Sequence, residues 1–360
     1  MYVLGIESSC DETGAAVVNE KKEICSNVLW TQIKMHTPFG GVVPEIAARA
    51  HLERIDEIVA EAMTQAGIGF EDLSAVAVSA GPGLIGGVIV GVMTAKAICA
   101  AHQLPFVALN HLEGHALTSR LTGQVEFPFL LLLVSGGHCQ ILVVKGVGRY
   151  ERLGGTMDDS AGEAFDKVSK MLGLGYPGGP KIEAAAKNGD ASLFAFPTPM
   201  KGRAGCDFSF SGLKTSVRHT IEQLTKKASQ EDTSPTGQQT RDLTEKEICD
   251  IAASFQTAVL KTVKDRLEHA VRIFKSRFPE GKDLVVAGGV AANTALRGML
   301  TELAEKNKLQ FTAPPVNLCT DNAVMVAWAG LERFREGLTD SLDFKARPRW
   351  PLDSSFPKKK

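Results

Sequence analysis

The sequence predicts an α/β protein of two lobes, each built on a duplicated mixed sheet, with a cleft between them. Three observations predict it. Apolar strand-like runs alternate with amphipathic helical segments nearly end to end. A strand-turn-strand device occurs twice, near the start and in mid-chain. At 360 residues the chain is too long for one ordinary core and suits two.

The first copy of the device runs from a short strand, Tyr2 to Glu7, through a polar turn, Ser8 to Gly14, to a returning strand, Ala15 to Val18. The second runs from Phe129 to Val134, through Ser135-Gly136-Gly137-His138, to Gln140 to Val144. Two such turns facing each other across a cleft can clamp a phosphate from both sides. A third Gly-rich turn, Gly288-Gly289-Val290, follows a strand over Asp283 to Ala287 and leads into a helix carrying Asn293 and Leu296. A helix entered through glycines exposes backbone N–H groups to an anion or nucleotide. Any one of these turns taken alone reads equally as an ordinary tight turn, and their repetition carries the argument. The lobes are expected at residues 1–116 with 322–350 and at 117–321. The polar stretch Thr225 to Glu245 reads as a mobile surface insertion, and residues 351–360 as a tail whose Pro357 to Lys360 end is solvated.

Composition narrows the function. The formal net charge of -1 gives no global attraction to nucleic acid or anionic lipid, so any such partner must meet a local patch. Lys34, His36, Arg49, His51 and Arg54, clustered around Gly40-Gly41, could contact phosphates or form a solvated helix face. The seven cysteines form no CxxC pair and read as a reduced thiol set. The N-terminus lacks the basic start and apolar core of a secretory signal. The longest apolar stretch, Phe129 to Val134, falls far short of the ~20 residues of a membrane span. A cytoplasmic location without membrane attachment is expected.

Asn110-His111-Leu112-Glu113-Gly114-His115 follows a strand over Phe106 to Leu109, where a helix begins. Four residues at ~100° each bring His111 and His115 onto one face, the spacing by which two imidazoles share a metal. Solvated or core histidines are the alternative. The best third donor is Asp321 in Leu318-Cys319-Thr320-Asp321-Asn322, ahead of an amphipathic helix over Ala323 to Phe334; helix capping by Thr320 or Asp321 is its other role. Glu113 stands about 200° from His111 around the helix and so faces away from a metal, unlike the base of the zincin HExxH. A metal here would orient and polarise a ligand oxygen rather than activate water.

Ten ordered motifs carry a resemblance over nearly the whole chain: Gly5 to Thr13, Gly40 to Glu45, Ala80 to Leu84, Asn110 to His115, Val134 to His138, Ala161 to Lys167, Tyr176 to Pro180, Asp207 to Lys214, Gly288 to Asn293 and Cys319 to Asn322. They closely resemble the bacterial TsaD family, the transferase subunit of tRNA threonylcarbamoyladenosine synthesis. The resemblance implies an actin-like and sugar-kinase (ASKHA) ATPase fold. It implies transfer of threonylcarbamoyl from threonylcarbamoyl-AMP to the exocyclic amine of the adenosine 3′ of the anticodon, in tRNAs reading codons that begin with adenine. It further implies His111, His115 and Asp321 as ligands of one divalent metal, iron(II) favoured and zinc the alternative. Leu133, Val134, Ser135, Gly136, Gly137, Asp166, Gly179, Glu183 and Asn293 would line an adenine-nucleotide site, for threonylcarbamoyl-AMP or ATP. Glu183 stands where the family often has Asp, Cys139 where Thr is common, and Gly155 where Glu is expected. The implied partners are tRNA, an inactive paralogous ASKHA subunit (TsaB-like) and a P-loop ATPase (TsaE-like).

An adenine amine is a poor nucleophile because its lone pair is delocalised into the ring, so the acyl donor must arrive activated. The protein must then hold the phosphate, steady developing charge and position the amine. Asp11 and Glu12 in the first polar turn are the candidate acid/base pair, with turn organisation as their alternative role. Competing classes are a metallopeptidase, which leaves the phosphate turns unexplained, a small-molecule ASKHA kinase, which needs no His-His-Asp group, and a non-catalytic nucleotide-binding scaffold.

Overall fold

The computed structural model describes residues 1–231 and 242–353, with backbone only for 227–231. Its first five-stranded sheet contains β1 (Tyr2–Glu7), β2 (Glu12–Asn19), β3 (Ile24–Thr31), β4 (Ala75–Gly81) and β5 (Phe106–Asn110). Its second contains β6 (Phe129–Val134), β7 (Cys139–Gly146), β8 (Arg149–Gly155), β9 (Asp283–Ala287) and β10 (Gln310–Thr312). The first is ordered β3-β2-β1-β4-β5 and the second β10-β9-β6-β7-β8, one topology traversed twice. In each, an antiparallel meander opens the lobe (β1-β2-β3, β6-β7-β8), and parallel strands reached through helical crossovers complete it. The duplication expected from the two strand-turn-strand segments is thus a duplication of whole sheets. β2 begins at Glu12 rather than Ala15, because Glu12, Thr13 and Gly14 pair with Thr31, Trp30 and Leu29 of β3.

Helices cover both sheets: α1 (Ile33–His36), α2 (Pro44–Ala66), α3 (Ile85–His102), α4 (His111–Thr122), α5 (Ala161–Met171), α6 (Gly178–Ala186), α7 (Ser211–Glu231), α8 (Glu245–Arg277), α9 (Thr294–Lys306) and α10 (Ala323–Arg335). The central strands are buried on both faces; β6, Phe-Leu-Leu-Leu-Leu-Val, is fully so. α2 and α3 pack on one face of the first sheet with Leu4, Ile6, Val76 and Val78. α4 and α10 share a second core cluster with strands of both sheets, including Val3, Ala77, Leu131 and Val285. α5, α8 and α9 close the outer face of the second sheet.

The chain returns to its first sheet through α10. Gly5 of β1 permits this: a Cβ there would lie 2.3 Å from Ala327 N, so only a glycine lets α10 approach this closely. Asp321, two residues before α10, is thereby set against the first lobe.

Several local expectations change. Thr225 to Glu231 continues α7 instead of forming a loop, and Thr244 with Glu247 forms a capping box that starts α8. The rest of the expected insertion, 232–241, and the Pro357 to Lys360 end lie outside the described residues. α3, with mean hydropathy 1.6, is the one helix among the described residues long and apolar enough to cross a membrane by length and composition, and exceeds the Phe129 to Val134 run. It packs against α2 and β4 and carries Lys96 within its span. All seven cysteines are free thiols.

Candidate metal and nucleotide site

α4 begins where β5 ends. Asn110 caps it, its Oδ1 accepting from Leu112 N at 3.0 Å, so His111 is the first helical residue and His115 lies one turn on. Their rings meet edge to face with centroids 4.8 Å apart. Asp321 completes the group: its Oδ1 is 3.0 Å from His115 Nε2 and 3.4 Å from His111 Nε2. All three donor atoms fall within 4.8 Å of one another. Two ligands each ~2.1 Å from a tetrahedral ion stand about 3.4 Å apart, so both nitrogen-to-oxygen distances suit one shared cation. Neither Thr320 nor Asp321 caps α10. Asn322 does, accepting from Met325 N at 2.9 Å, and Asp321 is left to face the histidines.

A buried carboxylate stands behind the group. Glu7, at the end of β1, lies 3.0 Å through Oε2 from His111 Nδ1, accepts from Ser79 Oγ at 2.5 Å, and through Oε1 accepts from Ser9 N at 2.7 Å. With Nδ1–H donated to Glu7, a His111 that has given up its second proton would present its Nε2 lone pair toward Asp321, the tautomer a metal requires. Burial pushes Glu7 up, but the facing His111 outweighs it and holds the carboxyl below its ordinary range. Burial would lower His111, yet Asp321 and Glu7 hold it well above the usual imidazole range. Asp321 is depressed against its own burial by His111 and His115.

Asp11 is buried in the β1-β2 turn and Glu12 is half-buried at the start of β2. Burial, then Asp321 and Asp11, push the Glu12 carboxyl well above the ordinary carboxylate range. Glu7, Asp11, Glu12 and Asp321 thus crowd four carboxyl groups at one spot, and the negative charge they carry when ionised is what a divalent cation would offset. The donor set and this charge both fit a metal.

The second lobe supplies the opposite wall. His138 closes the β6-β7 turn, with its N–H donating to Ser135 Oγ at 3.1 Å. Burial, then His111 and His115, push its imidazole down to about 4, so it is neutral beside the donor group. An added Cβ on Gly136 or Gly137 would meet nothing within 4 Å, so this turn is open to a ligand. Ser160, the N-cap of α5, donates to Gly136 O and fixes the turn to that helix. The third turn packs on the second: a Cβ at Gly288, φ +92°, would lie 2.4 Å from Val134 O. Asp166 accepts from Gly178 N at 2.7 Å and lies within electrostatic reach of Asp11 across the cleft. Gly179 at the start of α6 is open. Asn293 caps α9 through Leu296 N at 2.9 Å, and Val134 and Asn293 line one apolar slot. Glu183 accepts from Thr294 N at 2.8 Å, so its carboxylate serves the first turn of α9 beside Asn293. Leu133 is fully buried within β6, its side chain in the core cluster shared by both sheets.

Glu113 faces away, as its helical angle predicts. It is buried, accepts from Gly148 N at 2.8 Å and pairs with Arg333 at 3.1 Å, tying α4 to the β7-β8 turn and α10. The basic cluster expected near Gly40-Gly41 divides. His36 and His51 are fully buried; His36 bonds Gln32 and Val43 N, and His51 bonds Thr13 and the Cys10 carbonyl. Arg54 pairs with Glu57. Lys34 and Arg49 stay exposed. Glu7, Ser9 and His138 are the site residues that sequence reasoning did not single out.

One sheet topology repeated in both halves, with the opening turns of the copies brought to a common cleft, is the architecture of the ASKHA class. Solved structures of that class share it. HypF from T. kodakarensis superposes with TM-score 0.59 at 15% identity, covering 94% of this chain and 48% of its own. The activator of the 2-hydroxyisocaproyl-CoA dehydratase from Clostridium difficile, with bound ADPNP, gives 0.51 at 15% identity, covering 94% and 97%. Sequence comparison is more specific. Residues 23–328 match the family model described as TsaD, tRNA N6-adenosine threonylcarbamoyltransferase. A protein of that name from Paramagnetospirillum magneticum is 61% identical over 353 residues, covering 98% of this chain and 97% of the relative. One from Rhodospirillum rubrum is 57% identical over 361 residues, covering 99% and 96%. The chain belongs to the TsaD family of tRNA N6-adenosine threonylcarbamoyltransferases, enzymes that acylate an adenosine of tRNA.

Proposed function

We propose that this chain moves threonylcarbamoyl from threonylcarbamoyl-AMP to the exocyclic amine of the adenosine 3′ of the anticodon, in tRNAs reading codons that begin with adenine. The observation that carries this reading beyond family membership is the convergence of His111, His115 and Asp321 beside the open Ser135 to Gly137 turn. These three residues would hold one divalent ion, iron(II) favoured and zinc the alternative, since two imidazoles and a carboxylate suit either. When bound, the ion supplies Lewis-acid polarisation of a phosphoryl oxygen and a fixed point for its orientation.

The chain's own groups do the rest. Backbone N–H groups of Gly136, Gly137 and Gly179 hold the adenylate phosphate, and Leu133 to Ser135, Asp166, Glu183 and Asn293 shape the nucleotide pocket, Glu183 through the first turn of α9. Asp11 and Glu12 face the incoming amine. The raised Glu12 carboxyl is a stronger proton acceptor once ionised, which suits removal of the amine proton as the amine nitrogen bonds the carbamoyl carbon and the anhydride C–O bond breaks to release AMP. His138, neutral beside the donors, can accept a hydrogen bond without adding positive charge. Closure of the cleft excludes water from an anhydride that would otherwise hydrolyse.

The lobe limits 1–116 with 322–350 and 117–321 belong to the same reading, as does a cytoplasmic location. For the inactive paralogous partner, α3 offers an exposed apolar stripe of Ile85, Ile89 and Met93 at successive turns, with exposed Leu52 on α2, which packs on α3. An Ile89→Asp variant that still assembles with that subunit would remove this face from the contact. A P-loop ATPase is the third expected component. The deciding experiment combines the full chain with these partners, threonylcarbamoyl-AMP and unmodified tRNA, followed by nucleoside analysis. Threonylcarbamoyladenosine is expected, and its absence with a metal-loaded chain would overturn the reading.

A further inference from the structure

Phe39 is a large aromatic side chain standing in solvent on a rigid base. It is 59% exposed, in the turn between α1 and α2. The base beneath it is a buried polar network. Gln32 N donates to the Asp11 carbonyl at 3.0 Å, His36 Nε2 to Gln32 Oε1 at 3.0 Å, and Val43 N to His36 Nδ1 at 3.3 Å. Gln32 Nε2 also reaches His51, whose Nε2 bonds the Cys10 carbonyl. The Phe39 turn is therefore hung directly on the Asp11 turn of the candidate site.

Across the cleft mouth stands a cation. Lys170, exposed on α5 one helical turn beyond Asp166, places Nζ 3.4 Å from the position a Cβ on Gly40 would take. Lys34 is exposed on α1. An acid, Glu45, is also exposed at the start of α2, with exposed Arg49 one turn on. An exposed aromatic thus precedes Gly40, which Lys170 of the other lobe approaches, and follows the short helix that carries Lys34.

We propose that Phe39 is a stacking platform for a base of the tRNA anticodon loop, with Lys170 and Lys34 engaging the flanking phosphates. The inference rests on the transferase reading above and names where its macromolecular substrate is gripped. An adenosine stacked within its loop cannot bring its amine to a group at the floor of a cleft; it or its neighbour must be splayed out, and single-stranded bases are received on aromatic faces beside cations. A phenyl ring accepts any base, so this contact positions the loop and leaves codon-set selection to other residues.

The test uses the metal-loaded full chain, reconstituted with its partner subunits, on unmodified tRNA, together with fluorescence anisotropy of a labelled anticodon stem-loop. Phe39→Ala should raise KM for tRNA and weaken stem-loop binding on the order of tenfold, with kcat, metal content and thermal midpoint as in wild type. Phe39→Trp should restore binding and Phe39→Leu should not. Lys170→Ala should lower the slope of log affinity against log salt by about one. KM within twofold of wild type in Phe39→Ala, or full rescue by Leu, would overturn the proposal. So would recovery of KM on raising the partner subunit to excess, which would make Phe39 a protein contact. Failure of the wild type to modify tRNA would instead strike the transferase reading.

Discussion

Glu7 and His111, 104 residues apart, meet with Oε2 and Nδ1 3.0 Å apart, and this contact fixes which nitrogen of His111 looks into the cleft. Glu7→Gln keeps the shape but replaces the carboxylate acceptor by an amide that can flip its donor toward Nδ1. Metal affinity should fall by about 10–100-fold while the fold is retained, the usual cost of losing a partner that orients a ligand. Competition with a calibrated chelator measures it. An unchanged dissociation constant would show that Glu7 is merely a satisfied buried acid.

Gly5→Ala tests how Asp321 is positioned. The added methyl would sit 2.3 Å from Ala327 N and 2.5 Å from Ala323 O, against backbone that cannot rotate away. α10 must shift, at a cost of about 1–3 kcal/mol in unfolding free energy. Because Asp321 leads into that helix, metal affinity should fall as well. Denaturant unfolding and metal titration on the same sample check both, and a stable variant that binds metal normally would show that α10 does not set the site.

Much of this site is legible in the sequence, for identifiable reasons. The pair His111 and His115 is visible because helical periodicity is local, and Glu113 is assigned to the far face by the same angle. Glu7 is invisible as a second partner because its contact is made by β1 and β4 strands converging on α4, and no local period records that. Thr320 and Asp321 read as caps because both residue types cap helices; the backbone instead enters the extended region at Asn322, which takes that role. His36 and His51 read as a charged surface because composition cannot distinguish a solvated imidazole from one satisfied by Gln32, Thr13 and a buried carbonyl. The polar start of β2 reads as turn because Glu12 and Thr13 carry no apolar alternation, whereas pairing with β3 makes it strand.

Asp158 gives a prediction in pH. Its carboxylate accepts from Ser209 Oγ at 2.6 Å, Phe210 N at 2.8 Å and Ser211 Oγ at 2.8 Å, ahead of α7. Burial raises it, but these donors outweigh burial and leave its pKa below the ordinary carboxylate value. A depressed folded pKa contributes stability that is present above the unfolded value and is lost as pH falls through the folded value. Asp158 is exposed, so solvent screening discounts the effect: Asp158→Asn should cost no more than about 1 kcal/mol near neutrality, the scale of a lost helix cap, and the gap to wild type should narrow as pH falls below ~4. Paired unfolding curves at pH 7 and pH 3 check it. A gap that is constant with pH would assign the effect to shape instead of charge.

The most direct test of the account pairs metal analysis with acyl transfer in one variant. His115→Ala in the reconstituted system, supplied with threonylcarbamoyl-AMP and unmodified tRNA, should keep its thermal unfolding midpoint near that of the metal-free wild type. It should lose the stoichiometric metal and form threonylcarbamoyladenosine at least 100-fold more slowly, on the order of the several kcal/mol that a metal's charge contributes at such a site. Transfer at the wild-type rate by a chain shown to contain no metal would contradict it.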